Sequence, residues 1–394
     1  MVRYAIDDIT DEMVLGESIF LPSGELLLAA GFRLTERYRT RLRQMGFSTV
    51  GIQIEGTENV HPEEIISDHV QREVSASIAQ NAKGIQSALR VRKDGVQNVR
   101  KMIRENRQYL NKYLTSSGLA RSVENLIEEI LKQPSVVLNM SALSGRGGEL
   151  FAHAINVTVT SLCIGRKYHF SYDEMKQLAM GAINYDLGLV ALPKEIVDKD
   201  RRDRNEEELA IYTQHTVYGY LMLSQNPSIA PTSAAVAVQH HENQNGSGYP
   251  RGLHGENRPP QKDFSRKNVI HRFAEIVAVA DRYNAFTTGR YNSDALSVRD
   301  ALREIIKLGG DVLNSDIVKT LTGIIPVYPV GARIRIADSP TPQLLGYYGV
   351  VARDNPDNLE QPQIILYESR KHQRIKPILV NCALHTGFTL ELVA

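Results

Sequence analysis

The chain has 394 residues, more than one hydrophobic core usually organises, so two or three domains are expected. Its 42% hydrophobic and 23% charged residues are those of an ordinary globular chain, and a formal net charge of +1 argues against a broad nucleic-acid-binding face. No apolar run is long enough to span a bilayer, the N-terminal MVRYAIDDITDEM does not read as a signal peptide, and two distant cysteines, Cys163 and Cys382, exclude a disulfide framework or thiolate zinc site. A cytoplasmic protein without membrane insertion is the resulting expectation.

In chain order, residues 1–62 predict a small α/β domain of regulatory kind. Met13–Phe20 and Gly24–Ala30 alternate around a Pro-Ser-Gly turn, which predicts a hairpin. Leu34, Tyr38, Leu42 and Met45 recur at helical spacing before Gly46, and Phe47–Ile54 follows as a strand. Residues 63–120 are polar and helical with few breakers, which suits a connector or a dimer-forming arm. From 121 to 325 helix follows helix, with loops at Ser144–Gly148, Lys194–Asn205 and Gly246–Asn268. The mixed-sign run Asp198–Glu208 is expected to be a solvated loop. Residues 326–394 change character, and Ala332–Ala337, Tyr347–Ala352, Ile364–Tyr367 and Arg374–Leu379 predict short strands of a β-rich appendix. The fold class is therefore mainly α, a helical domain flanked by a small α/β domain and a β-rich segment.

The helical region concentrates His153, Asp186, His215, His240, His241 and Asp281 near apolar stretches. Singly, each has an ordinary explanation, such as a core histidine or a helix-ending carboxylate. Asp281 is the exception in kind, because it ends the apolar run Ile276–Ala280, where an unpaired carboxylate is costly to bury. Imidazoles and carboxylates without thiolates suit iron, manganese or a similar divalent ion. Two such ions would activate a water and clamp a phosphoryl group, the chemistry of phosphodiester hydrolysis.

The order His153, Tyr185-Asp186-Leu-Gly188, His215, His240-His241-Glu242 with Asn245-Gly-Ser-Gly-Tyr-Pro250, then Val279-Ala-Asp281 resembles the HD-GYP family of metal-dependent phosphohydrolases. The resemblance covers most of the chain, including Tyr328-Pro-Val-Gly331. It implies an all-helical HD-type domain that hydrolyses the bacterial messenger cyclic di-GMP to pGpG or GMP. It implies two divalent metals, iron foremost with manganese second: His153, Asp186 and Asp281 on one, and Asp186, His215, His240 and His241 on the other. Glu149 matches a position that adds a third metal in some members. Gly248, Tyr249 and Pro250 would shape a guanine pocket, Arg290 is a candidate for phosphate, and Asp186 with Tyr185 would stand at the catalytic position. Partners implied are cyclic di-GMP and signalling proteins such as diguanylate cyclases; the polar helices separately suggest a homodimer, and the near-zero charge suggests no nucleic acid polymer.

Four positions depart from the family. Tyr185 replaces the His of the His-Asp pair, Leu189 replaces a phosphate-binding lysine, and Asn245 and Asn284 replace aspartates. The segment from Gly255 to Asp281 is longer, and its Arg266-Lys267 and His271-Arg272 are candidates to line the pocket. Two functions of different class follow: a cyclic di-GMP phosphodiesterase, or a receptor and interaction module that keeps the pocket without turnover.

Overall fold

A computed structural model of the chain describes residues 1–394 apart from 21–25, 46, 48, 62–64, 90–97, 115–116, 134–135, 139–148, 261–267, 291–294, 386 and 394. The chain divides into two compact units, Met1–Ile65 with Val137–Gly148 and Ile325–Ala394, and Ile66–Val136 with Glu149–Ile324.

The first unit opens with β1 (Val2–Ala5), β2 (Ile19–Phe20), β3 (Leu26–Leu28), α1 (Glu36–Gln44) and β4 (Thr49–Ile52). β1 pairs antiparallel with β4, and β2 with β3. The helix and last strand fall where the sequence predicts them; the Pro-Ser-Gly turn of the hairpin lies outside the described residues. Later in the chain come β5 (Arg333–Asp338), β6 (Tyr348–Arg353), β7 (Gln363–Glu368), β8 (Arg374–Asn381) and β9 (Thr389–Leu392), an antiparallel sheet ordered β8-β7-β6-β5-β9. β9 was not anticipated, because four residues with one buried side chain leave little periodic signal. It completes the sheet by setting Leu392 opposite Ile334 and Leu390 opposite Ile336. Val2, Tyr4, Leu15, Leu42 and Val50 share one buried cluster with Ile334, Val350, Ile364 and Leu366. The two ends of the chain thus make one core.

The second unit is helical: α2 (Asp68–Leu89), α3 (Val99–Glu105), α4 (Arg107–Leu114), α5 (Ser117–Lys132), α6 (Glu149–Lys167), α7 (Tyr172–Ile183), α8 (Lys194–Val197), α9 (Glu206–Ser224), α10 (Pro231–Gln239), α11 (Arg272–Thr288), α12 (Val298–Leu308) and α13 (Ser315–Thr322). α6 packs on α7 and α11, while α10 packs on α7 and α9. α2, α3 and α4, in the segment expected as a connector, bury Ile85, Leu89, Ile103 and Leu110 in one cluster with Leu189, Tyr218 and Leu223. The expected loop at 194–205 contains α8, and the acidic end of the mixed-sign run is the first turn of α9. There Asn205 caps the helix and Glu208 closes a capping box. The expected loop at Ser144–Gly148 lies outside the described residues. No helix among the described residues is long and apolar enough to cross a membrane.

Candidate metal centre

Three helix interiors and two helix ends deliver the candidate ligands. His153 lies within α6, His215 within α9 and Asp281 within α11, while His240 ends α10 and His241 follows it. α7 starts at a Ser171–Glu174 capping box, buries Met175, Leu178 and Ala182, and stops at Asn184. Tyr185 and Asp186 therefore enter the site on the turn that follows. Gly188 makes this placement possible: a Cβ there would lie 1.8 Å from the His215 carbonyl oxygen, so only glycine lets the turn meet α9 so closely.

One ligand atom each from Asp186, His215, His240 and His241 lies within 4.8 Å of the others. The ring tautomers suit a cation. His215 Nδ1 is 2.6 Å from the Tyr212 carbonyl, and His240 Nδ1 is 3.1 Å from the Ala237 carbonyl. A carbonyl only accepts, so both Nδ1 atoms donate, and a ring so bonded, when neutral, keeps its lone pair on Nε2. Both Nε2 atoms are buried without a hydrogen-bond partner, and each stands 3.5 Å from the same Asp186 Oδ1. Two lone pairs facing a carboxylate in a dry site are unfavourable unless a cation lies between them. Imidazole nitrogen with carboxylate oxygen suits a first-row divalent ion, so these residues fit one.

Charge in the cluster is arranged the same way. Burial pulls the His215 imidazole down to about 4, against Asp186, which pushes it up. Burial, reinforced by His240 and His215, holds His241 well below the usual histidine range. Burial alone would raise the Asp186 carboxyl, but His240, Arg290 and His215 hold it below the ordinary carboxylate range. Near neutral pH an anionic Asp186 faces the neutral imidazoles of His215 and His241.

The other half of the site is built differently. His153 Nε2 is 2.7 Å from Asp281 Oδ1, and the Tyr185 hydroxyl donates to that same oxygen at 2.7 Å. Arg290 Nη1 donates to the Tyr185 oxygen at 3.3 Å and its Nη2 to Asp186 Oδ2 at 3.1 Å. The sequence offered Arg290 as a candidate for phosphate, without a sign that it reaches Tyr185 and Asp186. What brings it here is Gly289, whose φ of 72° ends α11 and turns the next residue back.

Tyr249 stacks on His241, with ring centroids 4.7 Å apart. Its loop is held by Glu242, which accepts from the backbone N–H groups of Arg251 and Leu253, both at 2.8 Å. That role has no local sequence signal, since it depends on a loop returning nine and eleven residues later. Gly248 sits against the preceding turn, where a Cβ would come 2.5 Å from the His241 carbonyl oxygen. Pro250 is exposed at the rim. Leu189 and Asn284 are buried away from solvent, the first in an apolar cluster and the second bonded to Thr160 and the Ala280 carbonyl.

Two residues expected to line the pocket are engaged elsewhere. Arg272 pairs with Glu174 at 2.7 Å, and His271 caps α11 by accepting from Phe273 N–H. Arg266 and Lys267 lie outside the described residues, as does the side chain of Glu149 at the start of α6.

Residues 124–316 match the HD domain family. The chain is similar to the cyclic di-GMP phosphodiesterase PA4108 of Pseudomonas aeruginosa, 22% identical over 63% of this chain and 55% of that protein. It is also similar to a cyclic di-GMP phosphodiesterase of Thermotoga maritima, 30% identical over 54% of this chain and 56% of the relative. The 3'3'-cGAMP-specific phosphodiesterase 2 of Vibrio cholerae is 25% identical over 55% of this chain and 40% of its own length. The chain thus spans about half the length, or less, of these relatives. With His240-His241-Glu242 and Gly248-Tyr249-Pro250 inside the matched region, the chain belongs, through residues 124–316, to the HD domain family in its HD-GYP branch.

Proposed function

We propose that this chain is a metal-dependent phosphodiesterase acting on a cyclic dinucleotide, with cyclic di-GMP as the substrate, in bacterial second-messenger signalling. The observation that carries the reading is the pair of buried, unpartnered Nε2 atoms of His215 and His240 facing Asp186, with His241 completing the donor set. A divalent cation, iron or manganese, supplies there an acidified water and a counter-charge for a phosphoryl oxygen. Asp186 balances that charge, the imidazoles of His215 and His241 stay neutral, and Tyr249 offers aromatic surface to a nucleobase beside His241. Arg290, with its guanidinium at Asp186, is positioned to meet a phosphate oxygen. The relatives that act on cyclic di-GMP or on 3'3'-cGAMP support the substrate class.

A second reading, a receptor that binds the nucleotide without cutting it, is favoured by one observation. Asp281 is engaged by both His153 and Tyr185, and Leu189 brings no charge. One experiment separates the two. Full-length protein loaded with iron(II) or manganese(II) is incubated with cyclic di-GMP, and pGpG is followed alongside binding calorimetry. Product formation supports the enzyme, binding without product supports the receptor, and neither outcome sinks both readings.

A further inference from the structure

The two halves of the centre treat their histidines in opposite ways, and the difference bears on how many cations the chain holds. In the half built on His215 and His240, Nδ1 donates to backbone and Nε2 points a lone pair at Asp186. In the half built on His153, Nε2 lies 2.7 Å from a carboxylate oxygen, so it carries the proton and donates. The buried Nδ1 of that ring has no hydrogen-bond partner and is not the atom turned toward Asp281. Asp281 Oδ1 already accepts a second hydrogen bond from the Tyr185 hydroxyl. A phenol hydroxyl spent on that hydrogen bond is a poor ligand for a divalent ion. Positive charge nevertheless reaches this half, because the Arg290 guanidinium spans from the Tyr185 oxygen to Asp186 Oδ2.

Resting on the metal-centre reading above, we infer that this chain holds a single divalent cation, at Asp186, His215, His240 and His241, and that Arg290, clamped by Tyr185 and Asp186, supplies the charge of a second. Asp186 is the shared residue: Oδ1 faces the two imidazoles and Oδ2 faces the guanidinium. Tyr185 is the positioning residue, since it ties Arg290 to Asp281 and closes the His153 side. A histidine at position 185 would withdraw the hydroxyl from Asp281 and add an imidazole lone pair, the change needed to reopen that side.

Metal content of the purified full chain tests this, after saturation with manganese(II) and removal of loosely held ion. The wild type is expected to retain one equivalent and to give the electron paramagnetic resonance spectrum of isolated manganese(II). H215A is expected to retain less than a third of an equivalent. Y185H is expected to approach two equivalents, with the spectrum of an exchange-coupled pair. Two equivalents and a coupled spectrum in the wild type would overturn the inference. Less than a third of an equivalent in the wild type would overturn the metal-centre reading itself. Because the wild-type stoichiometry decides between these outcomes alone, a Y185H protein that fails to fold leaves the test intact.

Discussion

A single glycine seats the turn that carries Asp186, and a single glutamate holds the loop that carries Tyr249. Gly188 lets the turn carrying Asp186 lie against the His215 carbonyl. G188A must push α9 and that turn apart, so it is expected to destabilise the helical unit by about 2–3 kcal/mol and to weaken metal retention with it. Urea midpoints and metal titration check both effects, and an unchanged midpoint would show that the close approach does not constrain the fold. Glu242 accepts two backbone N–H groups of the loop that carries Tyr249. E242Q retains the shape but replaces one of the two acceptor oxygens by an amide NH2, so one N–H keeps a neutral bond and the other loses its acceptor, at a cost of about 1–3 kcal/mol. Faster amide exchange at Arg251 and Leu253 is the expected signature, with the helices unaffected.

Between elements, the junction of α11 with the Gly-Tyr-Pro loop holds a proton. Glu275, in the first turn of α11, accepts from Gln244 Nε2 at 2.7 Å, while Gln244 Oε1 accepts from the Asn257 N–H. Burial pushes the Glu275 carboxyl up from 4.5 to about 7, against the hydrogen bonds that favour its ionised form. The folded chain therefore binds a proton that the unfolded chain has released between those values. The stabilisation is complete below about pH 4.5, fades as pH rises through about 7, and totals on the order of 2–3 kcal/mol. Unfolding midpoints measured from pH 4.5 to 8 should fall in the wild type and lose this slope in E275Q; an equal slope in the variant would assign it to other groups. At the start of α7, S171A removes the cap of the helix that delivers Asp186 and is expected to cost about 1 kcal/mol, measured by thermal unfolding.

Over the molecule, the first and last segments depend on one another. Val2, Tyr4 and Val50 are buried in one cluster with Ile334, Val350 and Leu366, so neither segment buries its apolar face alone. A chain ending at Ile325 is expected to expose residues 1–65 to limited proteolysis, while α6 to α11 remain protected and metal is retained. Protection of residues 1–65 in the shortened chain would show that they fold alone. The helical unit has its own logic: Leu189, which could be seen in sequence only as a missing lysine, packs with Leu110 and Tyr218 and ties α4 to the segment carrying the ligands.

Much of the centre was legible in order along the chain, because histidine and aspartate at the ends of apolar runs are chemically conspicuous. The helices and most strands were legible for a similar local reason, since periodic burial writes itself into spacing. Tyr185 and Leu189 also stood out as residue types, as departures from a known pattern. What spacing cannot carry is contact. That Tyr185 donates to Asp281, that Arg290 reaches Asp186 after a left-handed glycine, and that His153 turns a donor where His215 turns a lone pair follow from distances across α6, α7, α9 and α11. The same holds for the joining of the two chain ends in one core. Local composition determined the elements and the ligand types. Only tertiary packing decided which nitrogen faces which oxygen, because tautomer and charge are set by neighbours distant in sequence.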